Sequence, residues 1–233
     1  MLFYGGSLVP EQRTQNLYVA LIADIVGSRR VGNQGRAKLQ ENFEKLISTL
    51  NRTYEKDLLT KFAITSGDEF QGLIRRTASL PDLLWDMEYL FPDREFRVGI
   101  GRGSLDTPLK KQSTGMDGPA FHNARAAIGY ARKEAKLGGV FLGFGELDEV
   151  LNGMARLLRY HRSRFTAQQR RAVSLLRTGM AQVDIAARMD IKPQSASKHL
   201  KAAGWLAYKE GEDGFRSLLR VFVDGPLVRG GNG

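Results

Sequence analysis

"YVALIADIVGSRR", residues 18–30, decides the fold. Its apolar run predicts a strand over residues 17–26 that is buried on both faces. Yet Asp24 stands near the end of that run, followed by Gly27, Ser28, Arg29 and Arg30. A carboxylate taken out of water there is costly unless something compensates it. A cation with a phosphate, a capping role at a helix start, or a buried ion pair would each do so.

Working outward, "NQGRAKLQENFEKLISTLNRTYEKD" (33–57) repeats its apolar residues at helical spacing, with Leu39, Phe43, Leu46, Ile47 and Leu50 on one face. "LLTKFAIT" (58–65) and "EFQGLIRR" (69–76) read as two strands joined by the tight corner Ser66–Gly67–Asp68, a hairpin. A helix at 80–91 and a strand at 95–104 complete β-α-β-β-α-β, the split βαβ or ferredoxin-like arrangement. A helix over 118–137, a strand over 139–144 and a helix over 147–164 extend it. Gly99, Gly101 and Gly103 make no dinucleotide fingerprint, because no helix opens after them; they mark a bulge or a strand end that a ligand approaches closely.

From Thr166 onward the periodicity is helical. Thr166 and Gln169 form the pattern of a capping box, and Gly179 closes that helix. "AQVDIAARMD" (181–190), the turn "IKPQ" and "SASKHLKAAGW" (195–205) fit a helix-turn-helix. Ala186 sits at the close crossing, and Asp190 holds the turn position that usually takes glycine. "GFRSLLRVFV" (214–223) reads as a closing helix.

Charge supports that division. Of the net +10, residues 161–233 carry +7, with 13 Lys/Arg against 6 Asp/Glu, which points to a polyanionic partner. The chain has no cysteine, so disulfides and thiol catalysis are excluded and a cytoplasmic setting is expected. No apolar run is long enough to span a membrane, and the start has no signal-peptide pattern. The expected organisation is a flexible tail (1–16), an α/β domain (17–160), a small all-α helix-turn-helix domain (161–226) and a second tail (227–233).

If the first strand lies beside the hairpin, Asp24, Asp68 and Glu69 converge. Converging carboxylates repel unless neutralised, and oxygen ligands alone favour Mg²⁺ or Mn²⁺. Gly27 and Ser28 add backbone donors for phosphate, and Arg29, Arg30 and Arg102 add positive charge. Taken singly, Asp68 beside Gly67 is also ordinary turn chemistry.

The segments "LIADIVGSRR", "AITSGDEFQGL", "FRVGIGRGSL" and "GPAFHNARAAI", in this order, resemble the class III nucleotidyl cyclase core, and "SGDEF" is similar to the diguanylate cyclase (GGDEF) hairpin. From residue 17 onward the chain resembles most closely the SatD family, bacterial proteins in which such segments precede a helix-turn-helix. The resemblance implies a palm fold, a metal-binding pair Asp24 and Asp68, a phosphate cradle at Ile25, Val26, Gly27 and Ser28, and a homodimer; Glu69 as a third ligand and Arg29 and Arg102 as phosphate contacts are added from their positions in the sequence. It also makes Asp24, Asp68 and Arg125 the catalytic candidates. Three cyclase positions depart: the base-reading lysine falls at Ile64, and the late asparagine–arginine pair aligns with His122 and Ala126, one place from Asn123 and Arg125.

In the C-terminal unit, Gln194, Ser195, Ser197, Lys198 and Lys201 are placed to face a major groove, and Arg170, Arg171 and Lys192 to contact phosphates. The expected function is a nucleotide-responsive DNA-binding transcription regulator using Mg²⁺ or Mn²⁺. The alternatives are an active nucleotidyl cyclase or transferase, and a dimerisation scaffold.

Overall fold

A computed structural model describes residues 16–28, 33–133 and 139–225. The stretch 18–30 opens as the expected strand, β1 (Tyr18–Ile25), whose residues from Val19 to Ile25 are all buried. It is the middle strand of a five-stranded mixed sheet. The order is β2 (Ala63–Ser66), β3 (Glu69–Ile74), β1, β4 (Phe96–Gly103), β5 (Val140–Leu142). Pairing is antiparallel except between β4 and β5. With α1 (Asn33–Thr53) and α2 (Leu80–Leu90) the chain follows β-α-β-β-α-β, as its periodicity predicts.

The second strand is shorter than expected. Residues 58–62 make only isolated bridges, Leu58 to Ile74 and Lys61 to Gln112, and a register shift lies between Ile64 and Ser66. Side chains take the groups a ladder would use: Thr60 Oγ1 accepts the Leu73 N–H at 2.9 Å, and the Asn51 side chain bonds both the Phe62 N–H and its carbonyl, at 2.7 and 3.0 Å.

Alternation sorts β1 between two layers. Val19, Leu21, Ala23 and Ile25 pack on the side of α1 and α2, with Phe43, Leu50, Leu83 and Trp85. Ala20 and Ile22 pack on the other side, under α3 (Pro119–Lys133), with Ala120, Phe121, Ala124 and Ile128. Gly99, Gly101 and Gly103 face this helix. A Cβ at Gly99 would stand 2.1 Å from the Ala124 carbonyl oxygen, one at Gly101 2.1 Å from the Ala124 nitrogen, and one at Gly103 2.7 Å from the Ala120 nitrogen. The three glycines are therefore neither a bulge nor a ligand approach. They let a helix lie directly on strand backbone.

After β5 come α4 (Leu147–Ser163), α5 (Ala167–Arg177), α6 (Gln182–Met189), α7 (Pro193–Ala202) and α8 (Trp205–Leu219), which runs on as a π-helical turn to Asp224. The third helix thus stops short of Trp205: Gly204 turns left-handed at φ 60°, and a new helix begins. The expected boundary at residue 160 falls inside α4, and buried contacts cross it. Trp85 of α2 packs against Phe165 and Tyr208, with ring centroids 6.2 and 6.0 Å away, and Phe141 of β5 packs against Phe215. The expected tails, and Arg29 and Arg30, lie outside the described residues, apart from Asn16. Among the described residues no helix is long and apolar enough to cross a membrane.

Candidate functional site

The sheet brings two of the three acidic residues together, Asp24 and Glu69, and leaves Asp68 at the corner beside them. Asp24 and Glu69 are direct cross-strand partners, and Arg97 of β4 is the partner of Asp24 on its other side. All three lie on the sheet face that α3 covers.

What neutralises them is arginine. Asp24, only 4% exposed, accepts hydrogen bonds from the Nε of Arg132 at 3.0 Å and from its terminal nitrogen through Oδ2. Arg97 donates to its Oδ1 at 3.4 Å. Glu69 accepts both terminal nitrogens of Arg125, one of them at 2.9 Å, and Thr65 Oγ1 donates to it at 2.8 Å. This is the fork-on-fork geometry in which a guanidinium holds a carboxylate most firmly. Burial raises the Glu69 carboxyl, but the hydrogen bonds from Arg125 and Thr65 outweigh it and hold the group below the usual carboxylate range. The same bond holds the Arg125 guanidinium more firmly protonated.

Asp68 stands apart at the corner. It accepts a hydrogen bond from Ser28 Oγ, and Ser66 Oγ lies 3.3 Å away. Its carbonyl accepts the Ile25 N–H at 3.0 Å, while the Val26 N–H goes to Glu95 at 2.8 Å. Two backbone donors of the expected phosphate cradle are therefore engaged within the protein. Gly27 follows at φ 72° with open space around it. Arg102 points away from the acidic corner, since it alternates with Gly101 and Gly103 on β4, and its Nε is buried without a partner.

At Asp24 and Glu69 a divalent ion would need oxygens that guanidinium donors now occupy, while Asp68, bonded to the Ser28 and Ser66 hydroxyls, stands apart from them. Among the described residues no group of three acidic or histidine side chains is arranged to hold a metal. As arranged, Asp24, Asp68 and Glu69 do not fit a magnesium or manganese ion.

The C-terminal unit is built differently. Thr166 caps α5, accepting the Gln169 N–H at 3.3 Å while the Gln169 side chain accepts the Thr166 N–H at 2.9 Å. That reciprocal cap is the one its sequence predicts. Between α6 and α7, Asp190 is left-handed at φ 57°, and the Ile191 N–H reaches back to the Ala186 carbonyl at 3.0 Å. Ala186 and Ala196, 1% and 0% exposed, let the helices cross closely. A family model, the SatD family, matches residues 18–218.

The chain belongs to the SatD family. No curated protein matches it. In this SatD-family chain Lys192, Gln194, Ser197, Lys198 and Lys201 are exposed on and before α7, and among the described residues no hydrogen bond or ion pair engages their side chains. Ser195 is half-buried in the first turn. Arg171 is exposed and donates to the Arg188 carbonyl at 3.0 Å, while half-buried Arg170 reaches the Arg162 carbonyl at 3.4 Å.

Sequence reasoning missed Arg97 and Arg132. Both left a signal. Arg97 occupies the strand position opposite Asp24, and Arg132 follows Arg125 by seven residues, on the same helical face.

Proposed function

We propose that this SatD-family chain is a DNA-binding regulator in which α6 and α7 form a helix-turn-helix and the sheet unit is a palm-like, ligand-responsive body. One observation carries the reading: the polar, basic face of α7, beyond a left-handed turn at Asp190, is exposed and unengaged among the described residues. The +7 charge of residues 161–233 supplies the sequence-independent attraction that such a face needs. Gln194 and Ser197 would read base edges, while Lys192, Lys198 and Lys201 would hold phosphates. A homodimer belongs to the same proposal, because one helix-turn-helix reads only a half-site.

Fluorescence anisotropy with a labelled duplex over a salt series tests it. The expected outcome is salt-dependent binding, with Lys198→Ala lowering the slope of log K against log salt by about one unit. A duplex that does not bind even at low salt overturns the reading. Nucleotide control enters as the proposal that Gly27 and Ser28 contact a phosphate. Titration with ATP and GTP, with and without Mg²⁺, checks it, and no heat with either would remove it. Metal-dependent nucleotidyl transfer, the alternative reading, has no observation in its favour while Asp24 and Glu69 are held by arginines.

A further inference from the structure

We infer that the acidic corner of the sheet is a guanidinium latch that fixes α3 on the sheet without a divalent cation. Three observations meet here. Gly99, Gly101 and Gly103 leave Arg97 as the β4 side chain on the face beneath α3, so the helix from Pro119 to Ile128 rests on strand backbone. Along that contact Asn123 Nδ2 donates to the Arg102 carbonyl at 2.8 Å, which places the first turns of the helix but not its far end. From its middle and its last turn, α3 then reaches over two neighbouring strands, Arg125 to Glu69 on β3 and Arg132 to Asp24 on β1. Arg97 completes the corner from β4. The latch thus ties together the three central strands and α3, which covers their face.

The charges are also complete without an ion. Two buried carboxylates meet three guanidinium groups, and the oxygens facing α3 already have donors. A cation placed there would have to displace at least one guanidinium and face the rest as a like charge. The side chains of Arg125 and Arg132 are each 49% exposed, so the latch is open to solvent on its outer side and can be released without unfolding the sheet.

Two measurements on the full chain decide this. Electron paramagnetic resonance with Mn²⁺ up to about 1 mM is expected to show no protein-bound ion. A bound ion that Asp24→Asn abolishes would overturn the metal-free latch. Hydrogen–deuterium exchange is expected to show amides of residues 119–133 exchanging about tenfold faster in Arg132→Gln than in the wild type, with β1 and β4 unchanged. Arg132 is half-exposed, so this variant is suited to reading the latch without disrupting the core. Unchanged protection of α3 would show that the arginines do not hold it.

Discussion

Gly101 and Gly129 separate two meanings of glycine. At Gly101 an added Cβ would meet the Ala124 nitrogen at 2.1 Å and the Ala120 carbonyl oxygen at 2.4 Å, both backbone atoms that cannot turn aside. Gly101→Ala is expected to destabilise the chain by about 3 kcal/mol in denaturant unfolding, at the upper end of overpacking costs. Gly129, inside α3, has nothing near its Cβ position. Gly129→Ala is expected to stabilise by about 0.5–1 kcal/mol, because the helix no longer bears the backbone entropy of glycine. Glu69 gives the pH dependence at this scale. Burial acts against its charge, but Arg125 and Thr65 prevail and depress its pKa, with Arg132 adding to them. A depressed carboxylate contributes stability that is full above its unfolded value and lost as pH falls through its folded value. Stability is therefore expected to hold down to about pH 4 and to fall below it, with Glu69→Gln flattening the acid limb of a thermal-melt series.

Among the elements, the α6–α7 turn shows how sequence chemistry fixes a helix angle. Asp190 is the single non-glycine residue at positive φ among the described residues, and its short polar side chain tolerates that conformation. Asp190→Ala is expected to cost about 1 kcal/mol in thermal unfolding and to weaken duplex binding through the position of α7. α8 shows the opposite case. Gly211 and Gly214 lie inside α8, where a Cβ added to them would stand 3.5 and 3.9 Å from Leu158 and Met154 of α4. Packing against a neighbour overrides a local preference of about 1 kcal/mol per residue.

At the scale of the whole molecule, α2 is gripped by arginines from the C-terminal helices. Asp82 accepts from Arg177 at 2.7 Å and also from Arg216, and Arg177 lies over the Trp85 ring at 4.6 Å. Arg162, 2% exposed, donates to Glu88 at 2.8 Å and to Tyr208 at 3.3 Å. At the end of the described chain, buried Asp224 accepts the N–H and Oγ1 of Thr77 at 2.8 and 2.7 Å and the Ala78 N–H at 3.1 Å. With one apolar core running through both units, the chain is expected to unfold in a single calorimetric transition, its calorimetric and van't Hoff enthalpies equal. Arg162→Ala leaves Glu88 short of a partner and Tyr208 without its donor, and is expected to destabilise the whole chain by about 3–5 kcal/mol. Two separated transitions would instead mark the units as independent.

The sequence by itself determined the order of elements, the inward face of α1, the Thr166 cap and the left-handed turn at Asp190. Each rests on spacing or local stereochemistry within a few residues. It also placed Asp24 beside Glu69, since a split βαβ order leaves few neighbours for the first strand. Only the tertiary structure decided what answers those carboxylates. Arg97 and Arg132 lie 73 and 108 residues from Asp24 along the chain, and a strand position and a helical face single them out only once register and packing are known. The same holds for Gly99, Gly101 and Gly103, whose purpose is visible only when α3 lies on them. Charge compensation and close packing are properties of what the fold brings together, and they belong to no single stretch of the chain.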